Sequence, residues 1–126
     1  MAVVDLKNRT RFGFLPSTAR TADVTSDDFL VKGRGLIVVI DVTLDPASAS
    51  VVFTVRGVDH VSGSTFNLLT SAAIAATGTT VLRITPDLTA AANLIAETLL
   101  PTTLRVFADH TDTDSITYSV SGMLTD

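Results

Sequence analysis

Hydrophobic and polar residues alternate along most of the chain after residue 34, and a period of two is typical of β-strands with one buried face. In the stretch 36–43 one face is wholly apolar, whereas the other face turns polar towards its end. This combination is typical of a central strand in a two-layer sheet. The strands predicted in this way cover residues 36–43, 51–57, 65–70, 79–85, 102–108 and 115–123.

Turn signals separate these strands. Asp45 and Pro46 follow the first strand, and Ser62 and Gly63 lie between the second and third, which are predicted to form an antiparallel hairpin. Six or seven short strands of this kind predict an all-β chain whose body is an antiparallel β-sandwich or a jelly-roll-like fold. The side chains predicted to form its core are Leu36, Val38, Ile40, Phe53, Val55, Leu82, Ile84, Val106, Ile116, Tyr118 and Val120.

Residues 87–100 give an ambiguous pattern. They are rich in alanine and leucine, which favour helices, and Thr85 can cap a helix that has Pro86 at its first position. An extended crossover between strands fits the same residues, because helix propensity is a weak guide to structure. One short helix and an extended crossover therefore both remain open, and Pro101 ends either of them.

The first 34 residues show no sustained period and contain scattered glycine, proline, serine and threonine. Phe12, Phe14 and Phe29 are spaced apolar anchors within them. We therefore predict an N-terminal arm or loosely structured lead-in over residues 1–34, followed by a β-sandwich body over residues 35–126. Such an arm is expected to pack either on its own body or on a neighbouring subunit.

Composition excludes several classes of protein. With 46% hydrophobic and 17% charged residues in 126, the chain has the makeup of one folded domain rather than of a disordered protein. No apolar run is long enough for a membrane helix, and Met1 to Arg11 lack a signal-peptide pattern, so synthesis in the cytoplasm is expected. The absence of cysteine excludes disulfides and thiolate metal sites.

Charge is distributed unevenly. The first 34 residues carry six basic and four acidic side chains, a balance of +2, whereas the remainder carries three arginines against nine acidic residues, a balance of −6. A basic arm on an acidic body suggests docking on an acidic neighbour, although an ordinary solvated tail explains the same numbers. The acidic body argues against nucleic acid as the partner.

Candidate catalytic and metal-binding residues are few. His60 and His110 each follow an aspartate in a predicted loop, and a His–Asp pair can orient a catalytic base. The sequence lacks a nucleophile-elbow motif, which favours a pair of solvated loops instead. The loop 109–114 has alternating carboxylates, as in part of a calcium loop, but lacks the EF-hand glycine and glutamate; a polar hairpin loop is the simpler interpretation.

Three arginines, Arg56, Arg83 and Arg105, fall within predicted strands. They are expected to pair with acidic residues or to point outward as charges that discourage edge-to-edge aggregation. No pattern in the sequence predicts a cofactor.

Five stretches, taken in order, resemble a group of small structural proteins of tailed bacteriophages and prophages. The resemblance spans about residues 35–122 and does not include the arm. The stretches are residues 35–43 (GLIVVIDVT), 51–57 (VVFTVRG), 77–83 (TGTTVLR), 88–93 (LTAAAN) and 114–120 (DSITYSV).

The resemblance implies a virion protein without enzymatic activity, made in the host cytoplasm and located on the capsid surface. The expected role is that of a decoration or cement protein that binds the major capsid protein and stabilises the shell, usually as a homo-oligomer, with a trimer favoured. The arm is then expected to contact the partner, and deleting residues 1–30 is expected to weaken shell binding while leaving the body folded. The arm residues expected at that contact are Arg9, Arg11, Phe12, Phe14 and Phe29.

Three alternatives remain open at this stage. A tail or head–tail connector component of the virion fits the same resemblance. A ligand-binding β-sandwich module, for example for carbohydrate, fits the fold, although the absence of tryptophan and the single tyrosine argue against a sugar site. An enzyme ranks last, because no catalytic motif is present, and a membrane partner is not expected.

Overall fold

The structure is a computed structural model that describes residues 3–5 and 11–125 of the chain. Those residues form eleven strands and no helix. The strands are β1 (Val3–Asp5), β2 (Arg11–Arg20), β3 (Val24–Thr25), β4 (Asp28–Leu30), β5 (Gly35–Leu44), β6 (Val51–Val58), β7 (Thr65–Thr70), β8 (Gly78–Ile84), β9 (Ile95–Ala96), β10 (Thr103–His110) and β11 (Ile116–Thr125).

The strands form two sheets that pack as a sandwich. The first sheet has the order β1-β4-β10-β6-β7, and β3 also pairs with β10. The second sheet has the order β2-β11-β5-β8-β9. The pairings are antiparallel except β1 with β4 and β8 with β9. The predicted all-β sandwich is confirmed, as is the hairpin formed by β6 and β7.

The core lies between the two sheets, where alternating side chains of both inner faces meet. Each of the eleven side chains predicted for the core is at most 1% exposed. Phe53 from the first sheet and Tyr118 from the second pack edge to face, with ring centroids 4.9 Å apart at 89°. The alternation of hydrophobic and polar residues was therefore sufficient to identify the inner face of the strands after residue 34.

The described part of the predicted arm belongs to both sheets. β2 runs along β11 from Ile116↔Arg20 to Met123↔Arg11, and β3 and β4 pair with β10. Pro16 is accommodated because β2 is an edge strand, where a missing N–H costs no ladder bond. Consecutive burial of Phe14 and Leu15, beside register shifts in the β2–β11 pairing, breaks the period of two that sequence inspection relies on.

The segment 86–101 is not helical, so the helix alternative for residues 87–100 is wrong and the extended crossover is correct. Its main chain instead pairs with the free side of β8: the N–H of Arg83 donates to the carbonyl of Leu94, and the N–H of Thr85 to that of Ala96. The hydroxyl of Thr85 accepts from the N–H of Asp87, as a cap would, but within a turn. Pairing with an open sheet edge thus outweighs helix propensity.

Candidate functional site

Three of the residues predicted for partner contact form a single cluster inside the molecule. The rings of Phe12, Phe14 and Phe29 have centroids 4.8 to 5.3 Å apart, and we call them the phenylalanine cluster. They join β2 of the second sheet to β4 of the first, and Phe14 and Phe29 are only 4% and 6% exposed. Of the two options left open by the sequence, these rings pack on their own body.

The remaining predicted contact residues are placed differently. Arg11 is exposed at the start of β2, and Arg9 lies outside the described residues. Phe12 is half-buried and covers Gly122 on the neighbouring strand, where an added Cβ would lie 2.7 Å from its Cζ. The burial of this cluster gives it a role in the chain's own core, so an exposed docking surface must be sought elsewhere.

His110 ends β10 and contacts the buried tyrosine of the core. Its Nε2 lies 2.8 Å from the Oη of Tyr118, while its Nδ1 is buried without a hydrogen-bond partner. Burial, the largest cause, lowers the pKa of His110 below its usual value, and burial raises the pKa of Tyr118 to about 12. Arg20 lies over the Tyr118 ring at 4.6 Å and donates to the Tyr118 carbonyl.

Asp23 also contacts His110, but it does not orient the imidazole ring. Its Oδ1 accepts the main-chain N–H of His110 at 2.7 Å, rather than a ring N–H. A catalytic base needs its ring held by the carboxylate and a nucleophile within reach, and here the ring contacts only a phenol that stays protonated. These contacts connect the end of β10 in the first sheet to β11 in the second, which supports a structural role for these residues.

His60, the second candidate, is exposed in the turn between β6 and β7. The preceding Asp59 accepts hydrogen bonds from the hydroxyl of Ser62 and the N–H of Val61. Those bonds, the Ser62 hydroxyl first, lower the pKa of Asp59. The carboxylate therefore shapes the turn and is not directed at the histidine ring.

The acidic loop after β10 is a turn closed by its own side chains. Asp112 Oδ1 accepts the N–H of Asp114 at 3.0 Å, and Thr111 bonds to the carbonyl of Ser50. In the part of the chain that the structure describes, no three histidine, aspartate or glutamate side chains come together in a way that could hold a metal ion.

The three strand arginines have different environments on the outer faces. Arg105 donates two hydrogen bonds to the carboxylate of Asp28, at 2.7 and 2.9 Å, and these bonds raise the pKa of Arg105. Arg56, its direct cross-strand neighbour, lies over the Phe107 ring at 4.6 Å and donates to Asn67. Arg83 is exposed on β8.

A cavity of about 530 Å³ lies on the outer face of the first sheet, beneath the 59–64 turn. Its lining includes Leu30, Val58 and His60, together with the pair formed by Arg105 and Asp28. The charged groups here already bond to each other or to the turn, which leaves little in the cavity to select a ligand.

An exposed apolar groove runs along the free side of β7. An open cavity of about 620 Å³ separates β7 from the segment 96–101, and Glu97 is the one charged residue on its walls. Phe66 is 48% exposed and Leu99 is 77% exposed. We call this feature the β7 groove; it is lined by Phe66, Asn67, Leu68, Ala96, Glu97, Thr98, Leu99, Leu100 and Pro101.

Sequence inspection missed this groove because its two walls lie far apart in the chain. One wall was assigned to a hairpin strand, and the other to an ambiguous crossover whose leucines suited a helix. One signal was nevertheless present: Leu99, which lines the groove, has no place on a regular apolar face and is 77% exposed in the structure. Large apolar side chains outside the periodic pattern are typical of a surface that contacts another molecule.

Comparison with known proteins adds no relative. No protein-family model matches the sequence, and no curated protein or solved structure matches it significantly. Among the described residues there is no helix long and apolar enough to cross a membrane. The functional argument therefore rests on the residues themselves and on the sequence resemblance.

Proposed function

We propose that this chain is a virion structural protein without enzymatic activity, and that it decorates the capsid by binding the major capsid protein and stabilising the shell. The virion setting rests on the resemblance of residues 35–122 to small structural proteins of tailed phages. The docking role is carried by one structural observation, the exposed apolar β7 groove with Phe66 and Leu99 on its walls. A homo-oligomer, with a trimer favoured, is the assembly that the resemblance implies.

The physical properties of the groove suit docking on a repeated surface. Covering exposed Phe66 and Leu99 removes apolar area from water, at roughly 25 cal/mol per Å². A single small contact of this kind gives weak binding, but an oligomer that engages several shell subunits at once gains affinity through effective concentration. The contacts of His110 and Asp23 within the sandwich also support a structural rather than a catalytic role.

The proposal is tested by co-sedimentation of the purified protein with capsid shells that lack it. Saturation at hundreds of copies per shell is the expected result, together with a higher melting temperature of the decorated shells. A plateau at a few copies would instead assign the protein to the tail or to the head–tail connector. No binding at all would overturn the virion proposal and reopen the ligand-binding alternative.

A matched pair of substitutions tests whether the β7 groove is the docking surface. Leu99→Ser removes a 77% exposed side chain from the groove and is expected to weaken shell binding by about tenfold or more. Leu44→Ser removes a 57% exposed side chain from the end of β5, in the second sheet and outside the groove lining, and is expected to change binding little. Equal effects of the two substitutions would place the docking surface elsewhere.

A further inference from the structure

We propose that the shell partner enters the β7 groove as an extended segment that pairs with β7 and adds one strand to the first sheet. This inference rests on the proposed function, because it specifies how the docking surface binds. Its partner is a short stretch of protein chain with alternating apolar side chains and one basic side chain. The main chain of β7, the bulge within it and the charge of the groove support the proposal independently.

The main chain of β7 has no neighbouring strand on its outer side over residues 65–67 in the described part of the chain. In an antiparallel ladder, alternate residues direct both their N–H and C=O groups towards the neighbouring strand or away from it. The main-chain N–H of Ser71 donates to the carbonyl of Phe53, and the main-chain N–H of Asp59 donates to the carbonyl of Ser64. These two bonds set the phase of the β6–β7 ladder at both ends. With Phe66 opposite Gly57 in this phase, Thr65 and Asn67 direct their main-chain groups outward.

One outward group of β7 already has a partner and confirms this phase. The carbonyl of Thr70 accepts a hydrogen bond from the side-chain amide of Asn93 at 3.0 Å. No main-chain partner is recorded within the described residues for the outward groups of Thr65 and Asn67. Asn67 lines the groove and Thr65 lies next to it at the start of β7, so an added strand would find two N–H donors and two carbonyl acceptors along this edge.

β7 also lacks two of the features that usually protect an edge strand, charge and proline. Its residues 65–70 include no charged side chain and no proline. The long edge strand of the other sheet, β2, carries Pro16 and has an arginine at each end, Arg11 and Arg20. Charge and proline are common means of preventing edge pairing, so residues 65–67, which have neither, leave this edge open to an added strand.

The shape of the groove limits the length of the segment. The register shift between Val55 and Arg56 places a bulge in β7 at Leu68, and a bulge ends regular pairing. Pairing is therefore confined to residues 65–67, which matches a partner stretch of about three to five residues. The volume of about 620 Å³ falls within the range of sites that hold small ligands or short peptides.

The far wall of the groove sets the preference for side chains. Leu99, Leu100 and Pro101 offer apolar contact to side chains on one face of the added strand. Glu97, the charged residue of the walls, favours a lysine or arginine on the partner through charge complementarity. An acidic or glycine-rich segment would lack both contacts.

The test measures amide hydrogen exchange of the full chain, labelled with ¹⁵N, with and without a synthetic peptide. The probe is an acetylated and amidated hexapeptide of sequence TVKVTV at millimolar concentration. Exchange of the Thr65 and Asn67 amides is expected to slow about tenfold or more, while the Phe66 and Leu69 amides, which face β6, are slow in both states. Peptide binding without slowing of the two outward amides would overturn strand addition, and so would absence of binding.

Two variants keep the test decisive. Asn67→Pro removes an outward N–H and is expected to abolish peptide binding, whereas Asn67→Ala removes the bond to Arg56 but keeps that N–H and is expected to bind normally. If Asn67→Pro fails to fold, Thr65→Pro replaces it, because proline is tolerated at the first residue of a strand. Normal peptide binding by a folded proline variant would contradict the proposal.

Exchange on shell-bound protein separates this inference from the proposed function. Saturating shell binding with unchanged Thr65 and Asn67 exchange would leave decoration standing and overturn strand addition. Peptide binding with slowed exchange, but no shell binding, would retain strand addition and overturn decoration. Concentration-dependent slowing in the protein alone would show that a second copy occupies the edge, which would overturn the shell segment as its partner.

Discussion

Phe53 and Tyr118 join the two sheets at the centre of the core, and neither is exposed to solvent. Replacing Phe53 with alanine removes a buried ring and its edge-to-face contact, so we expect the free energy of unfolding to fall by about 3–5 kcal/mol. Urea denaturation measures this change. The control Val61→Ala, at an 82% exposed position, should lie within about 0.5 kcal/mol of the parent chain.

Tyr118 is the single tyrosine of the chain, so its ionisation can be followed directly by ultraviolet absorbance. Because burial raises its pKa to about 12, the absorbance change is expected near that pH rather than near 10, the usual value for tyrosine. The folded state retains this proton longer than the unfolded state does, so stability should fall as pH rises above 10. A midpoint near 10 in protein that remains folded would contradict the burial of this side chain.

His110 makes stability depend on pH at the acid end. Its pKa is lowered in the folded state, chiefly by burial, so the unfolded state binds the proton more readily. The stabilisation is complete above the unfolded pKa of about 6.5 and is lost as pH falls from that value through the lower folded pKa. Unfolding free energies at pH 7.5 and pH 5 measure this loss.

Two substitutions isolate the contribution of His110 from that of the carboxylates. His110→Gln should show a smaller decrease in stability between pH 7.5 and pH 5, because the titrating ring is gone and the amide can still bond to Tyr118. His60→Gln, at an exposed position, should retain the full decrease. If the loss of stability between pH 7.5 and pH 5 becomes smaller in His60→Gln and not in His110→Gln, the assignment to His110 is wrong.

At the level of strands, each sheet contains a glycine covered by a cross-strand phenylalanine. Gly122 lies under Phe12, and Gly57 lies under Phe66, with an added Cβ at 2.7 and 2.3 Å from the respective Cζ atoms. Phe12 is held by the phenylalanine cluster, whereas Phe66 is half exposed and can swing into the β7 groove. The phenylalanine ring over the glycine is thus held in place in the second sheet and has room to move in the first.

This difference predicts that the two glycine-to-alanine substitutions lower the free energy of unfolding by unequal amounts. Gly122→Ala should destabilise by about 1–3 kcal/mol, because the Phe12 ring is held by contacts with Phe14 and Phe29, whereas Gly57→Ala should cost less than about 1 kcal/mol. Thermal and urea denaturation of the two variants provide the measurement. A larger cost for Gly57→Ala would show that Phe66 is as tightly held as Phe12.

The N-terminal strands lead to a different expectation for truncation from the one drawn from sequence. Deleting residues 1–30 removes all of β2 and β4, together with buried Phe14, Leu15 and Phe29, and leaves β11 without a neighbour on one side. We therefore expect this deletion to abolish cooperative unfolding, monitored by circular dichroism. Deleting residues 1–10 retains β2 and β4, and should leave the transition cooperative.

Across the whole molecule, ion pairs connect the N-terminal segment to the rest of the chain in both directions. Arg105 pairs with Asp28, and Arg34 pairs with Asp87, whose pKa is lowered chiefly by the hydrogen bond from Arg34. The Arg34 pair is exposed and contributes little to stability. The uneven charge noted in the sequence is therefore partly neutralised within the chain.

Sequence patterning predicted the fold class and the core after residue 34, because alternation reports directly which face of a strand is buried. It did not predict β2, where Phe14 and Leu15 are buried in succession beside register shifts. Nor did it locate the β7 groove, because strand order decides which edge stays open and alternation carries no information about strand order.

The pairing of β2 with β11 also bears on when the chain can fold as it is made. β2 emerges from the ribosome about a hundred residues before β11, the strand with which it pairs. Until residues 116–125 have been synthesised, the second sheet lacks the strand that connects β2 to β5. The second sheet therefore cannot close before that point, and sheets closed by distant segments typically form slowly.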